Sequence, residues 1–291
     1  MTDLRTIAIV SPGAMGSALG RCWSASGSRV VATVAGRSPR TASLAEGIEL
    51  LPSLVEVVGQ ADLVVSVLPP ASAVAAAASI ARAAADAGVR PLVLDLNAIA
   101  PATLHRVHAE LAVAGCRLVD GSISGGPPGP DRPATIVYLS GPDVQQLEVL
   151  ATPQLDVRVL GTELGTASAV KMCTASVYKG LAALFSQALQ TAEWHGVTDV
   201  VLADLGRDLP EHVRTAAQLV ASAASKSDRY PGEMRQIALT QGEAGAEPAL
   251  FEAMATVFEA IHRSRLAALT PEQGKQAQDL SAVLADLANH P

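Results

Sequence analysis

Only four residues of this chain are lysines, Lys171, Lys179, Lys226 and Lys275, although arginine is common. Lys171 and Lys179 are also the only charged residues between Thr166 and Ala192, in a proline-free run rich in Ala, Leu, Met and Gln. That composition predicts a helix. Its apolar residues are not confined to one stripe, so the helix is expected to be surrounded by protein. An amine placed there costs desolvation energy. Either its stem runs to the surface and keeps the charge in water, or it faces a cleft, where partial burial lowers its pKa toward the range useful for proton transfer. For Lys171 the second reading implies a definite chemistry. Oxidising an alcohol requires a proton to leave oxygen as hydride leaves carbon; a neutral amine can take that proton, and the ammonium returns it in the reduction. Lys171, Thr174, Ala175 and Tyr178 share one face by the three-and-four spacing. On that face Ala175 would leave room for a bulky substrate. Tyr178 would stack on the substrate, bond to it, or simply pack the helix. Lys179 lies off this face and reads as a surface or interface lysine, and Cys173 reads as buried filler rather than a nucleophile.

The elements that must position such an amine come earlier in the chain. Thr6 to Val10 is a short apolar, β-branched run, and Ser11-Pro12-Gly13-Ala14-Met15-Gly16 then opens a helix that continues through Gly20. Strand, glycine turn, helix is the arrangement in which backbone N–H groups at a helix N-terminus hold a pyrophosphate. Ser11 stands where the G-x-G-x-x-G pattern has its first glycine. Ser11, Pro12, Gly13, Ala14 and Met15 are therefore candidate dinucleotide contacts, the alternative being a purely structural turn. A second strand, Arg29 to Ala35, leads into Gly36-Arg37-Ser38. The acid that would hold a ribose 2′-hydroxyl is missing there, whereas Arg37 can pair bidentately with a 2′-phosphate and Ser38 can add a hydroxyl. That favours NADP over a solvated loop arginine. Two more buried strands, Asp62 to Leu68 and Arg90 to Leu96, bring Leu68, Pro69 and Asn97 to the carboxyl edge of a parallel sheet, with Asn97 expected on the nicotinamide side. His105, His108 and Glu110 lack a further ligand nearby, and no metal is expected. Cys22 and Trp23 read as core.

Ser124-Gly125-Gly126 follows a further strand, and glycines without a Cβ let a carboxylate approach backbone amides closely. An ordinary tight loop before the strand Ala134 to Leu139 is the alternative. Asp156 to Leu160 reads as the last strand, after which the β/α alternation ends. The expected organisation is an α/β fold: an N-terminal Rossmann-type doubly wound sheet over residues 1–161, and an all-α C-terminal domain over 162–291, joined by the long interdomain helix. Thr198 to His290 shows helical patterns only, with Thr198, Ser227 and Thr270-Pro271 as helix starts and His195 beside the helix-ending Gly196. So small a helical domain would bury its apolar faces best against another copy, which predicts a homodimer with the active site near the interface.

The totals agree with this organisation. The chain has 291 residues, enough for two domains, with 49% hydrophobic and 17% charged residues. A net charge of −7 without a basic run argues against nucleic acid or an anionic membrane surface as partner; the small anionic substrate that is expected rests on the Ser-Gly-Gly amides. Cys22, Cys116 and Cys173 are scattered, which fits a reducing cytoplasm. Met1-Thr2-Asp3-Leu4-Arg5 runs straight into a strand pattern, so no signal peptide is expected. The uncharged run Leu63 to Ala81 is broken by Pro69-Pro70 and is expected to be strand, turn and helix rather than a membrane span.

Four stretches together carry a resemblance: Gly13-Ala14-Met15-Gly16, Gly36-Arg37-Ser38, Asp120-Gly121-Ser122-Ile123-Ser124-Gly125-Gly126, and Gly165 through Lys171. In this order, and over the whole chain, they resemble the β-hydroxyacid dehydrogenases, which include hydroxyisobutyrate dehydrogenase and are related to phosphogluconate dehydrogenase. The last stretch is similar to the family's G-x-G-x-x-x-K-x-x-N-N pattern. The resemblance implies that Lys171 is catalytic and that Ser124, Gly125 and Gly126 hold the substrate. Ala167 replaces the second glycine, and Thr174 and Ala175 replace the two asparagines, the first of which holds substrate in the family. Thr174 keeps a hydroxyl and, with Tyr178, completes the expected substrate contacts. Arg229 to Ile237 looks like a subgroup with its own C-terminal domain, in which Lys226, Arg229 and Glu233 are further polar candidates. The implied activity is hydride transfer between NADP(H) and a hydroxy or oxo acid. Imine reductases resemble the same family but typically lack the lysine, and the loss of both asparagines leaves an NADPH-binding sensor without catalysis as the non-enzymatic alternative.

Overall fold

The computed structural model describes residues 4–288. The expectations that touch Met1 to Asp3 and His290 lie outside them. Among the described residues, one eight-stranded sheet carries the order β3-β2-β1-β4-β5-β6-β7-β8. Its strands are β1 (Thr6–Ile9), β2 (Arg29–Ala32), β3 (Glu49–Leu50), β4 (Leu63–Ser66), β5 (Leu92–Asp95), β6 (Arg117–Ser124), β7 (Thr135–Ser140) and β8 (Leu155–Gly161). The chain walks outward from β1 to β3 and returns to place β4 on the other side of β1, the reversal at which doubly wound sheets bind ligands. Helices α1 (Ala14–Ala25), α2 (Pro39–Leu44), α3 (Leu54–Gly59), α4 (Ala73–Ala87) and α5 (Pro101–Ala112) make the crossovers.

Both faces of this sheet are covered, which is why its strands read as continuous apolar runs. Along β1 the pleat sends Ile7 and Ile9 into one core, with Leu19 and Trp23, and Ala8 and Val10 (just past its end) into the other, with Ile80 and Leu104. Trp23 is buried as expected, and its indole N–H donates to the Leu150 carbonyl over 3.1 Å. The sheet departs from an all-parallel expectation at one place. β6 and β7 are antiparallel, because the chain doubles back after Ser124 rather than crossing through a helix. The two-residue β3 is a further strand that no sequence pattern signalled.

Helix α6 (Thr166–Trp194) has 29 residues, about 44 Å at 1.5 Å per residue. The chain divides into two compact units, residues 1–172 and 173–291. The division falls within α6, whose first turn is hydrogen-bonded to side chains of β6 and β7. The second unit contains α7 (Thr198–Asp208), α8 (Pro210–Arg214), α9 (Ala216–Ala224), α10 (Tyr230–Glu243), α11 (Ala249–His262), α12 (Pro271–Gln276) and α13 (Leu280–Ala288), and no strand among the described residues. Thr198 begins α7, and Thr270 caps α12 through a reciprocal capping box with Gln273. Ser227 is not a helix start. It is buried before α10, its hydroxyl bonded to the Ala224 carbonyl and 3.2 Å from His262 Nδ1. No helix of the described residues is long and apolar enough to cross a membrane.

Candidate active site

The parallel strands β1, β4, β5 and β6 are neighbours, so the residues after them share one edge of the first unit. Three strand spacings, roughly 14 Å, separate the end of β1 from the end of β6. At the β1 end, the Gly13 N–H donates to the Ser11 carbonyl over 2.8 Å, and the Ser17 hydroxyl donates to the Pro12 carbonyl over 2.6 Å. Serine at position 11 therefore makes the tight turn that a glycine usually makes. Gly16 is required by close packing, since a Cβ there would lie 2.5 Å from the Ser11 carbonyl oxygen. Gly13 is different: a Cβ on it would meet nothing within 4 Å. The N-terminus of α1, just past Gly13, has no side-chain cap. An uncapped twelve-residue helix opening behind a glycine that faces free space fits a phosphate approached by Gly13, Ala14 and Met15.

Past the end of β2, Gly36 adopts φ +69°, where a side chain would be strained, and turns the chain so that Arg37 and Ser38 are exposed. Among the described residues the Arg37 side chain makes no ion pair or hydrogen bond, so its guanidinium is available to an anion. Ser38 caps α2, accepting from the Thr41 N–H over 3.3 Å.

Asn97 has a structural task at this edge. Its side chain is buried: Oδ1 accepts from the Leu68 N–H over 2.6 Å, and Nδ2 donates to Ser66 Oγ and to Asp95 Oδ2. It fastens the loop after β4 to the end of β5 and so positions Leu68 and Pro69. Asp95 in turn accepts from the Asn97 N–H over 2.9 Å. Burial pushes the Asp95 carboxyl up to about 7, helped by the Asp120 charge and opposed by the Asn97 hydrogen bonds.

Asp120 sits beside Asp95 in register on the adjacent strand and is wholly buried. Its Oδ2 accepts from the Gly165 N–H, the Ser168 N–H and the Ser140 hydroxyl, and its Oδ1 accepts from the Ser168 hydroxyl over 2.6 Å. Burial raises its pKa, against the pull of the Ser168 bonds. Ser140 Oγ also accepts from the Ala167 N–H. One carboxylate thus holds the first turn of α6 onto the sheet. Lys171 stands one residue short of a full turn beyond Ser168. Its half-buried Nζ donates to the Ile123 carbonyl over 2.6 Å, the residue immediately before Ser124. Ser124, Gly125 and Gly126 are exposed beyond it; Gly125 has φ +116°, and the Gly126 carbonyl accepts from the Thr135 hydroxyl. The structure therefore brings Lys171 to the Ser-Gly-Gly turn. Asp120, Ser140 and Ser168 were not singled out as site residues by sequence. The available signal was a carboxylate within an otherwise apolar strand, which demands partners.

In the second unit, Thr174 and Tyr178 are exposed on α6, Tyr178 at 72%. Three expectations are corrected there. Ala175 is buried, so its small side chain leaves no open space on the helix. Cys173 is exposed rather than core, because it follows Met172, whose side chain takes the inward position. Lys179 is not a freely solvated surface lysine: its amine is paired with the buried Glu233 carboxylate, which offsets the desolvation of both.

Comparison with known proteins bears on the family and the fold. Residues 6–152 match the model described as the NAD binding domain of 6-phosphogluconate dehydrogenase, and residues 192–261 match a domain of unknown function, DUF1932. An uncharacterized 28.5 kDa protein in the 7S RNA 5′ region of Methanothermus fervidus is 26% identical over 171 residues, covering 58% of this chain and 64% of that relative's length. A solved conserved protein described as structurally similar to 3-hydroxyacid dehydrogenases is 25% identical, with TM-score 0.64 over 88% of this chain and 96% of its own. Mycobacterium tuberculosis 3-hydroxyisobutyrate dehydrogenase shares the fold at 19% identity, with TM-score 0.65 over 99% of this chain and all of that one. With its NAD-binding N-terminal half and a C-terminal domain of separate type, the chain belongs to the β-hydroxyacid dehydrogenase family.

Proposed function

We propose that the protein is an NADP-dependent oxidoreductase that transfers a hydride between NADP(H) and a small hydroxy or oxo acid, with Lys171 as general acid and base. One observation carries the reading. The half-buried Lys171 amine is held 2.6 Å from the Ile123 carbonyl, beside the Ser124-Gly125-Gly126 turn at the carboxyl end of β6. When bound, the nicotinamide would supply or accept the hydride. Gly13, Ala14 and Met15 would hold the phosphates through backbone N–H groups, with Ser11 and Pro12 shaping the turn. Gly36, Arg37 and Ser38 would receive the 2′-phosphate, and Leu68 and Pro69 would form the wall that Asn97 braces. Ser124, Gly125 and Gly126 would fix the substrate carboxylate. Lys171 would exchange its bond to the Ile123 carbonyl for one to the substrate oxygen, taking the proton in oxidation and returning it in reduction. Trp194 at 87% exposure and Val200 at 71% are unusual for large apolar side chains, and they support a homodimer that covers them. Following NADPH oxidation over a panel of oxo acids and imines tests the activity. Turnover of an oxo acid is expected; turnover of imines alone, or of neither class with NADPH still bound, would replace this reading. Light scattering that shows only monomer would remove the dimer.

A further inference from the structure

The second unit holds a group of cations that hydride transfer does not use. The Lys226 carbonyl accepts the N–H groups of Arg229 and Tyr230, each over 3.2 Å, so residues 226–230 form one tight turn between α9 and α10. Arg229 donates through Nη1 to Glu233 over 2.6 Å, and its guanidinium lies 5.6 Å from the centre of the Tyr230 ring. Lys179 takes the other oxygen of the same carboxylate, so Glu233 has no charge left to offer Lys226. The fourth cation arrives from α12. Gly274 makes this approach possible, since a Cβ there would lie 2.8 Å from the Ala221 carbonyl oxygen and 3.0 Å from Ser222 Cα. That contact packs the start of α12 on α9, and the Lys275 charge is felt at Lys226.

Lys226 is half-buried, and burial lowers its pKa, with Arg229 and Lys275 adding to the effect against Glu272. Among the described residues, neither the Lys226 nor the Lys275 amine has a hydrogen-bond or ion-pair partner. Asp228 of the same turn is exposed and pairs with neither. Lys226 thus lies close enough to Arg229 and Lys275 for their charges to oppose its own, and Arg229 keeps spare donors. Among the described residues, Glu272 is the one carboxylate felt there against three cations, so a further anion would relieve the repulsion.

We propose that Lys226, Arg229 and Lys275 form a binding site for a small oxyanion, a carboxylate or a phosphate group. The guanidinium supplies a fork for two oxygens, and the ammonium groups supply point charges around the third. This goes beyond the dehydrogenase reading and does not depend on it.

The test is calorimetric titration of the full chain with inorganic phosphate and, separately, succinate, at ionic strength held constant with potassium chloride. Lys171→Met is the parent protein, which removes any contribution from that amine. Saturable binding is expected, and Lys226→Met and Lys275→Met should each weaken it by about tenfold or more, while Lys226→Arg should restore it. Binding of phosphate alone or succinate alone assigns the ligand class. Should Lys226→Met fail to fold, the exposed Lys275 carries the comparison. Heats no different from the chloride control, or affinities unchanged in both methionine variants, would overturn the site.

Discussion

Replacing Asp120 should separate a hydrogen-bond acceptor from a charge. In Asp120→Ala the buried N–H groups of Gly165 and Ser168 lose their acceptor, as do the hydroxyls of Ser140 and Ser168. A buried unsatisfied backbone donor costs about 1–3 kcal/mol, so the two amides alone account for roughly 2–6. The hydroxyls can turn elsewhere and add less. Part of the loss is offset, because the wild-type protein carries a buried charge that its surroundings oppose. The net expectation is about 3–5 kcal/mol, a fall in Tm of roughly 6–20 °C for a protein of this size. Asp120→Asn should behave quite differently. Its amide oxygen can serve the three donors now on Oδ2, and its NH2 can face Ser168, whose hydroxyl is free to accept instead. That variant should lie within about 1–2 kcal/mol of wild type. Calorimetry and denaturant titration measure both. An alanine variant within about 1 kcal/mol of wild type, or an asparagine variant no better than alanine, would show that the carboxylate does not hold the first turn of α6.

Three further outcomes are expected. Lys171→Ala should lower turnover by about 10²–10⁴-fold while NADPH affinity, measured by fluorescence titration, stays close to normal; near-normal turnover would take the proton-transfer role away from this amine. Arg37→Ala should weaken NADPH by about tenfold to a hundredfold and NADH little, and equal losses for both would refute the 2′-phosphate contact. The third concerns pH. Asp95 has a folded pKa of about 7 against an ordinary value of 3.8, so the folded state holds its proton more tightly than the unfolded chain. That contribution is fully present below about pH 4 and lost as pH rises through about 7; it is worth up to about 4 kcal/mol for a shift of about three units. Asp120 is raised as well and acts in the same direction. Tm should therefore fall between pH 5 and pH 8, and Asp95→Asn should flatten the slope; a wild-type slope of the opposite sign would contradict the buried, proton-holding pair.

Much of the N-terminal half was legible because its physics is local. A β-branched run, a glycine turn and an Ala-rich helix each announce themselves in sequence. So do the absence of an acid after β2 and the helical periodicity that ends near Gly196. What escaped depended on partners distant in the chain. Nothing in the sequence shows that Asn97 also bonds Ser66 and Leu68, 31 and 29 positions away. Lys179 looked solvent-facing because its partner Glu233 lies 54 residues on. The antiparallel return of β7 was hidden because a Pro- and Gly-rich loop permits either a crossover or a reversal. Burial within α6 was misread at Cys173 and Ala175, since a helix with apolar residues all round carries no sign of which side faces outward.

The Asn97 brace has a consequence for recognition. With the Leu68 amide captured and two prolines following, the loop after β4 inherits the stiffness of the strands beneath it. If the proposed function holds, a cofactor laid along this loop would meet a fixed contour instead of a surface that adapts, so discrimination there would rest on shape.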